Sequence, residues 1–213
     1  MDQSLQAVIF DLDGTLWDSS AEVTASWNEV LQTLNPPVRP PLTVDDMRGV
    51  MGLMMDDLAA KLFPMLPREE RLALMRRCCA HENQYLNKHG ANLYDGLEDT
   101  LAKLSVRYRL FIVSNCQEGY IEAFLSAHKL GGYFTDTENF GHTGLCKGEN
   151  IQLIMRRNHI EHAVYVGDTQ GDCDSTAQAG IPFIWARYGF GSVANYAYAI
   201  DAFTQLPEVL EQL

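Results

Sequence analysis

The sequence predicts an α/β protein with a doubly wound parallel sheet and an all-helical domain inserted near its amino end. Short apolar runs such as Ala7–Phe10 and Ala163–Val166 are typical of strands buried on both faces. After about residue 91 such runs alternate with helical patterns, which is the order expected of a parallel sheet. Between Trp17 and about Gly90 the pattern is helical without a convincing strand, which indicates an insertion.

The first strand is expected near Ala7–Phe10, and the insertion that follows it should contain three helical parts. These are residues 21–34, shorter helices within 47–63, and a longer helix from about 67 to 89. The proline-rich stretch 35–41 ends the first, and Glu69 and Glu70 suit the first turn of the last. The remaining elements, in order, are a helix at 97–104, a strand at 110–113, helices at 119–127 and from 147, a strand at 163–166, a helix through 177–179, a strand at 181–185 and a helix ending at 213. We therefore expect a core formed by residues 1–16 and 91–213 and a cap formed by 17–90.

Composition limits the classes of function. The chain has 213 residues, 46% hydrophobic and 21% charged, which is ordinary for a globular protein. A formal net charge of −12 disfavours nucleic-acid binding and docking on anionic membranes, because both call for basic patches. With no apolar stretch of membrane length and no signal-type amino end, we expect a cytoplasmic protein, either a monomer or a small homo-oligomer.

The five cysteines are odd in number and contain no C-x-x-C pair, so we expect reduced thiols rather than disulfides or a zinc site. Cys78 and Cys79 fall in a helical run and should be packing residues. Cys116 follows Ser114 and Asn115, and its oxidation is a hypothetical way to block a neighbouring site.

Two carboxylates, Asp11 and Asp13, follow the first strand within the segment 11–16, which reads DLDGTL. Alternate side chains of an extended chain point the same way, so the two should share a face or the mouth of a pocket. Like charges this close need a cation, a shared proton or both. This favours a Mg²⁺ site around a carboxylate nucleophile with a neighbouring acid/base. A calcium loop is excluded because Gly14 is fourth, not sixth, and a simple Asx-rich turn is the other interpretation.

Further polar groups follow other predicted strands. Asp168 and Asp172 lie just after residues 163–166, and Ser114-Asn115 follows 110–113. In open α/β sheets the ligand crevice lies outside the carboxyl ends of the strands, so these groups can meet there. Lys147 opens a helix, and a hydroxyl and an ammonium at such junctions suit a phosphate group.

Four signatures thus occur in order: DLDGT at 11–15, a strand ending in Ser114-Asn115, Lys147 at a helix start, and GDTQGD at 167–172. With these the chain resembles the haloacid dehalogenase-like superfamily of phosphatases, in the subgroup with a helical cap, and is similar to phosphoglycolate phosphatases. The resemblance covers nearly the whole chain. It implies a Rossmann-like core with the cap inserted after the first strand, Mg²⁺ as cofactor and a small phosphorylated metabolite as substrate.

The resemblance also implies residue roles. Asp11 would be the nucleophile that forms an aspartyl-phosphate, and Asp13 would be the general acid and then base. The phosphate would be bound by Ser114, Asn115, Thr15 and Lys147, and Mg²⁺ by Asp11, the backbone carbonyl of Asp13, and Asp168. Asp172 would orient Lys147 or a metal-bound water, whereas Asp174 is expected to be a carboxylate at a helix start.

Other activities are disfavoured or left open. Haloacid dehalogenases lack the second acid of the first motif, which is Asp13 here. Phosphomutases of the β-phosphoglucomutase type carry a His about where Val23 stands, so this activity is weakened but remains an alternative. A non-catalytic module that binds phosphorylated metabolites is the third possibility, and it is disfavoured because all four chemical positions are filled.

Several other motifs and residues have weaker functional interpretations. The segment 189–194 matches a dinucleotide fingerprint, but too little chain follows for a complete βαβ unit. His81-Glu82 fails the metalloprotease spacing, because Tyr85 stands where a second His is required. Arg48 could pair with a carboxylate or second phosphate of the substrate, or could be a solvated helix residue. The large apolar residues of the insertion are expected in its core rather than in a substrate pocket: Trp27, Met47, Met51, Met54 and Met55.

Overall fold

The structure is a computed structural model and describes residues 4–213; residues 1–3 of the expected core lie outside the described part. In chain order the strands are β1 (Ala7–Phe10), β2 (Trp17–Asp18), β3 (Asn92–Leu93), β4 (Arg109–Ser114), β5 (Phe134–Asn139), β6 (Ala163–Gly167), β7 (Phe183–Ala186) and β8 (Tyr198–Ile200). The helices are α1 (Ser20–Leu31), α2 (Val44–Arg48), α3 (Met55–Leu62), α4 (Arg68–His89), α5 (Leu97–Ser105), α6 (Tyr120–His128), α7 (Phe140–Thr143), α8 (Lys147–Arg157), α9 (Gln170–Ala179) and α10 (Leu206–Leu210).

A six-stranded parallel sheet in the order β5-β4-β1-β6-β7-β8 forms the centre of the fold. The chain leaves β1 first towards β4 and β5 and then returns to its other side for β6, which makes the sheet doubly wound. All four residues of β1 are fully buried, because helices cover both faces of the sheet. Val8 and Phe10 pack into one core with α5 and α6, whereas Ala7 and Ile9 pack into the other with α8. The α/β class is confirmed.

Four helices, α1 to α4, fill the chain between β1 and the rest of the sheet, and we call Ser20–His89 the helical insertion. Its longest helix, α4, begins after Pro67 and has Glu69 and Glu70 in its first turn, as the sequence indicates. It ends at Gly90, whose φ of +67° favours glycine. Among the described helices, none is both long enough and apolar enough to cross a membrane.

The structure differs from the sequence-based expectation at several places. Trp17–Asp18 pairs with Asn92–Leu93 as an antiparallel ribbon, so the segment after Trp17 does not start as a helix. The strands β5 and β8 are unpredicted and lie at the two edges of the sheet. The predicted strand at 181–185 is Phe183–Ala186, and the last helix ends at Leu210 rather than at 213.

Candidate active site

The carboxyl ends of three neighbouring strands bring the predicted site residues together. Asp11 follows β1, Ser114 ends β4, and Asp168 follows β6. Because β1 pairs with β4 on one side and β6 on the other, the three side chains meet at the carboxyl-terminal end of these central strands. All three are buried.

Lys147 connects this end of the strands to α8. Its Nζ donates to Asp11 Oδ1 at 2.9 Å and to Asp172 Oδ1 at 2.5 Å, and its side chain is only 2% exposed. A buried ammonium is costly unless it is paired, and here two carboxylates pair it. The predicted contact of Asp172 with Lys147 is therefore present in the structure.

The charges of this cluster act on one another through a dry interior. Burial raises the pKa of Asp11, and this effect outweighs the Lys147 ammonium, which lowers it. Burial by itself would lower the pKa of Lys147, but Asp11 and Asp172 together hold it well above its usual range. Burial also raises the pKa of Asp168, with Asp172 and Asp11 adding to the effect. Three acids and one cation leave an excess of negative charge, which a further cation would relieve.

The donor set fits a hard divalent cation. One ligand atom each of Asp11, Asp168 and Asp172 lies within 4.8 Å of the others. Asp172 Oδ2 already accepts from the backbone N–H groups of Asp168 and Thr169 and from the Thr169 hydroxyl. Asp168 Oδ1, in contrast, is buried and has no partner within residues 4–213. Carboxylate oxygens are the ligands that Mg²⁺ prefers, and the orphaned oxygen of Asp168 is the position such an ion would satisfy.

Asp168 is held by two glycine-dependent segments. Its Oδ2 accepts from the backbone N–H of Phe190 at 2.7 Å and of Gly191 at 3.3 Å. Gly14 has a φ of +79°, and a Cβ there would collide with the Asp168 carboxylate, as would one at Gly189. The segment 189–194 therefore orients a carboxylate, and the dinucleotide interpretation that the sequence disfavours has no helix here to support it.

Asp13 lies beside this cluster and faces the same cavity as Asp11. One of its oxygens, Oδ1, accepts three hydrogen bonds, from Trp17 Nε1 at 2.9 Å, Ser19 Oγ at 2.6 Å and Tyr120 Oη at 2.8 Å. Burial raises the pKa of Asp13, whereas these three donors lower it; the net direction is upward. With Oδ1 held in this way, Oδ2 is the oxygen that can carry a proton.

The predicted phosphate-binding residues occupy two environments. Ser114 and Asn115 line the cavity with Asp11. Asn115 Nδ2 donates to the carbonyl of Gly52 in the helical insertion, and its Oδ1 is buried with no partner within the described residues. Thr15 is fully buried, and its hydroxyl also lacks a partner in the described part of the chain. Lys147 Nζ contacts Asp11, but Lys147 is not among the residues that line the cavity.

A small cavity of about 40 Å³ opens between Asp11 and the helical insertion. Its walls include four apolar residues that the sequence assigns to the core: Trp27, Met47, Met51 and Met55. Trp27 and Met47 belong to the hydrophobic core and Met51 and Met55 pack against it, as the sequence predicts, and all four also line this cavity.

Two candidate residues have other roles in the structure. Arg48 Nη2 pairs with Asp18 Oδ2 at 2.7 Å and its Nε donates to Ser20 Oγ, outside the cavity wall.

Cys116 does line the cavity, but burial raises the pKa of its thiol well above the usual range, so little reactive thiolate forms. Asp174 is exposed and contacts Gln170, as expected of a residue outside the site.

Comparison with known proteins agrees with this geometry. A family model described as haloacid dehalogenase-like hydrolase matches residues 8–186. The chain belongs to this family. It is 30% identical to a phosphoglycolate phosphatase of Cupriavidus necator over 97% of this chain and 92% of that protein. It is 24% identical to a phosphoglycolate phosphatase of Photobacterium profundum over 98% and 97% of the two chains.

Solved structures of haloacid dehalogenase-like proteins share the fold. A hydrolase of this family from Streptococcus pneumoniae superimposes with a TM-score of 0.81 at 21% identity, covering 98% of this chain and 99% of that one. The resemblance that the four sequence signatures indicate is therefore confirmed, and the chain is a hydrolase of the phosphatase kind.

Some residues of this haloacid dehalogenase-like site escaped the sequence analysis. Tyr120 and Ser19 hold Asp13, the 190–191 backbone holds Asp168, and Glu82 enters the cavity from α4. Their partners lie up to 107 residues away in the sequence. No local spacing connects them, although the glycines of the rejected dinucleotide fingerprint did mark the 190–191 loop.

Proposed function

We propose that the protein is a Mg²⁺-dependent phosphatase that hydrolyses a small phosphate monoester through an aspartyl-phosphate on Asp11. Phosphoglycolate and small sugar phosphates belong to this size class. The observation that carries the proposal is the buried Asp11–Lys147–Asp172 chain beside the unpartnered oxygen of Asp168. This cluster opens on a cavity that also contains Asp13.

Asp11 acts as the nucleophile in this proposal. Its Oδ1 is engaged by Lys147, which fixes the carboxylate and leaves the other oxygen to attack phosphorus in line with the leaving group. The attack forms an O–P bond to Asp11 and breaks the P–O bond to the leaving alcohol. Ser114, Asn115, Thr15 and Lys147 would bind the phosphoryl oxygens.

Asp13 acts as acid and then base. It donates its proton to the departing alkoxide, and it then takes a proton from the water that hydrolyses the aspartyl-phosphate. The raised pKa of Asp13 supports the first role, because a protonated carboxyl must persist until the leaving group departs. Each step restores the protonation state that the other step needs.

Mg²⁺ held by Asp11, the backbone carbonyl of Asp13, and Asp168 would offset the negative charge of the nucleophile and of the phosphate. Asp172 contributes by positioning Lys147 and by accepting hydrogen bonds from the backbone N–H groups of Asp168 and Thr169. Phosphomutases of the β-phosphoglucomutase type carry a His about where Val23 stands. Val23 lies on the cavity wall and its side chain cannot move a proton, which weakens this alternative.

The metal requirement can be tested with Asp168→Asn. Phosphate release from acetyl phosphate and small monoesters is measured with Mg²⁺ and with excess EDTA. We expect turnover only with Mg²⁺, and a loss in Asp168→Asn greater than the roughly 10–100-fold that removing an outer-sphere partner causes. Asp174→Asn, a matched change on the exposed side of α9, should keep wild-type activity. Turnover in EDTA, or full activity of folded Asp168→Asn, would contradict the metal proposal.

A further inference from the structure

The cavity wall contains one charged group that the proposed mechanism does not use. Glu82, on α4, is 4% exposed and lines the same cavity as Asp11 and Asp13. Its Oε2 accepts a hydrogen bond from Trp27 Nε1, and its Oε1 accepts one from Gln117 Nε2 at 3.0 Å. An acid is seldom buried in an apolar wall without a purpose or a partner. Here both partners are neutral donors.

These two donors fix the direction of the carboxylate without saturating it. Trp27 reaches Glu82 from α1 and Gln117 reaches it from the segment after β4, so the group is held from two sides. A carboxylate has about four lone-pair sites, and each oxygen of Glu82 uses one of them on these residues. The remaining acceptor capacity is available to a donor that enters the cavity.

No basic residue balances this charge inside the cavity. Within residues 4–213, the cavity wall contains no Lys, Arg or His side chain. Lys147 is engaged by Asp11 and Asp172, and Arg48 is paired with Asp18. A leaving group with a carboxylate would therefore bring a further negative charge beside Glu82 and Asp13 in a dry space, with no cation to pair it.

The remaining walls favour a small leaving group. They are largely apolar, with Val23, Leu58 and the three methionines around Trp27. A cavity of only about 40 Å³ suits a leaving group of no more than a few carbon atoms.

We propose that this cavity selects phosphate monoesters whose small leaving group is neutral or cationic and donates a hydrogen bond to Glu82, and that it discriminates against leaving groups that carry a carboxylate. The proposal rests on the proposed phosphatase function and narrows its substrate class. Within the size class named above, it favours hydroxyl- or ammonium-bearing esters over phosphoglycolate. Glu82 acts as a specificity residue that contacts the leaving group and takes no part in phosphoryl transfer.

The test uses four monoesters with two-carbon leaving groups: ethyl phosphate, 2-hydroxyethyl phosphate, phosphoethanolamine and phosphoglycolate. The purified full chain is assayed at pH 8 with Mg²⁺, since burial raises the pKa of Glu82 to about 7 and the group is then mostly ionised. We expect kcat/KM for the hydroxyethyl and aminoethyl esters to exceed that for phosphoglycolate by roughly tenfold or more. For ethyl phosphate, whose leaving group is uncharged and has no second donor, kcat/KM should lie between the values for these two esters and the value for phosphoglycolate.

Glu82→Gln keeps the shape of the side chain and removes its charge. In this variant the advantage of phosphoethanolamine over phosphoglycolate should shrink by roughly tenfold, mainly through KM. Glu70→Gln makes the same charge change on the exposed first turn of α4 and should leave the ranking as in the wild type. Thermal unfolding confirms that both variants are folded.

The outcomes distinguish a failure of the proposed substrate class from a failure of the proposed phosphatase function. If acetyl phosphate and all four esters fail with Mg²⁺, the phosphatase proposal fails and the substrate class falls with it. If acetyl phosphate is hydrolysed but phosphoglycolate is the best monoester, or none of the four is turned over, the substrate class is wrong and the phosphatase stands. An equal loss on all four esters in Glu82→Gln would make Glu82 merely structural and would also overturn the inference.

Discussion

Asp13 is anchored through a single oxygen by three donors that come from different parts of the chain. Trp17 follows the first motif, Ser19 precedes α1, and Tyr120 opens α6. Tyr120 Oη also lies 2.9 Å from Ser19 Oγ; because each hydroxyl has a single proton, a bond between them competes with donation to Asp13. We infer that this arrangement directs the free oxygen of Asp13 towards the leaving group.

Replacing Tyr120 by Phe tests that arrangement. The change removes one donor that lowers the pKa of Asp13, so this pKa should rise further and the alkaline limb of the kcat profile should move to higher pH. We expect kcat to fall by roughly tenfold with little change in KM, because a looser acid affects the reaction more than binding. Tyr133→Phe removes an exposed hydrogen bond to Glu98 and serves as the control. An unchanged pH profile in Tyr120→Phe would contradict the role.

Glu82 should also leave a signature in stability. Burial raises its pKa from 4.5 to about 7, with the bonds from Trp27 and Gln117 acting in the opposite direction. Between these pH values the folded chain holds a proton that the unfolded chain has released, so stability falls as pH rises from 4.5 to about 7. The Glu82→Gln variant lacks this loss. Its free energy of unfolding, relative to wild type, should rise by about 3 kcal/mol over that interval.

Urea unfolding of both proteins across this pH range measures the difference. Glu70→Gln, exposed on the same helix, should track the wild type at every pH. Parallel curves for wild type and Glu82→Gln would mean that folding does not shift the pKa of Glu82. This result would contradict the burial of its carboxylate in the cavity wall.

At the scale of elements, the turn between β1 and β2 places the two acidic clusters in contact. Gly14, in this turn, has a positive φ and leaves room for the Asp168 carboxylate. Gly14→Ala should therefore displace Asp168 in addition to straining the backbone by roughly 1–2 kcal/mol. Gly144→Ala introduces a Cβ at a similar φ of +69° with no atom within 4 Å. Gly14→Ala should therefore lose more stability than Gly144→Ala, and only Gly14→Ala should weaken Mg²⁺ binding, measured by calorimetry. Equal Mg²⁺ affinities in the two variants would contradict this account of the turn.

The elements that the sequence predicts well are those buried on both sides. β1, β4 and β6 are central strands, and their apolar runs are visible without any structure. β5 and β8 lie at the sheet edges, where one side of the strand faces no neighbour and polar residues are tolerated. The segment 134–139, FTDTEN, therefore carries no apolar run, and a sequence-based search passes over it.

The same contrast holds for the site. Asp11, Asp13 and Asp168 stand in short local motifs at strand ends, so their meeting could be predicted from the topology of a parallel sheet. The contacts of Tyr120, Glu82 and the 190–191 backbone depend on how distant segments pack. Arg48 is the opposite case: the sequence makes it a candidate for substrate recognition, but in the structure it is paired with Asp18. A charge pattern alone cannot reveal which partner a side chain finds.

At the scale of the whole molecule, we propose that residues 17–90 form a cap domain over a core formed by 1–16 and 91–213. At this boundary β2, where the chain enters the insertion, pairs with β3, where the chain leaves it. Asn115 and Gln117 of the core side also contact the insertion, through Gly52 and Glu82 respectively. The cavity lies between the insertion and the core. In the proposed mechanism the insertion forms the wall that contacts the leaving group, and the carboxyl ends of the central strands supply the reacting groups.

The central claim is that phosphate passes through Asp11, and covalent capture tests it most directly. In Asp13→Asn the base for the hydrolytic step is missing, while acetyl phosphate carries a leaving group that needs no proton. Rapid quenching of this variant with acetyl phosphate and Mg²⁺, followed by peptide mass spectrometry, should find one phosphate on the peptide that contains Asp11, and none in the Asp11→Asn/Asp13→Asn double variant. Phosphate on another residue, or steady turnover by Asp11→Asn, would contradict the mechanism.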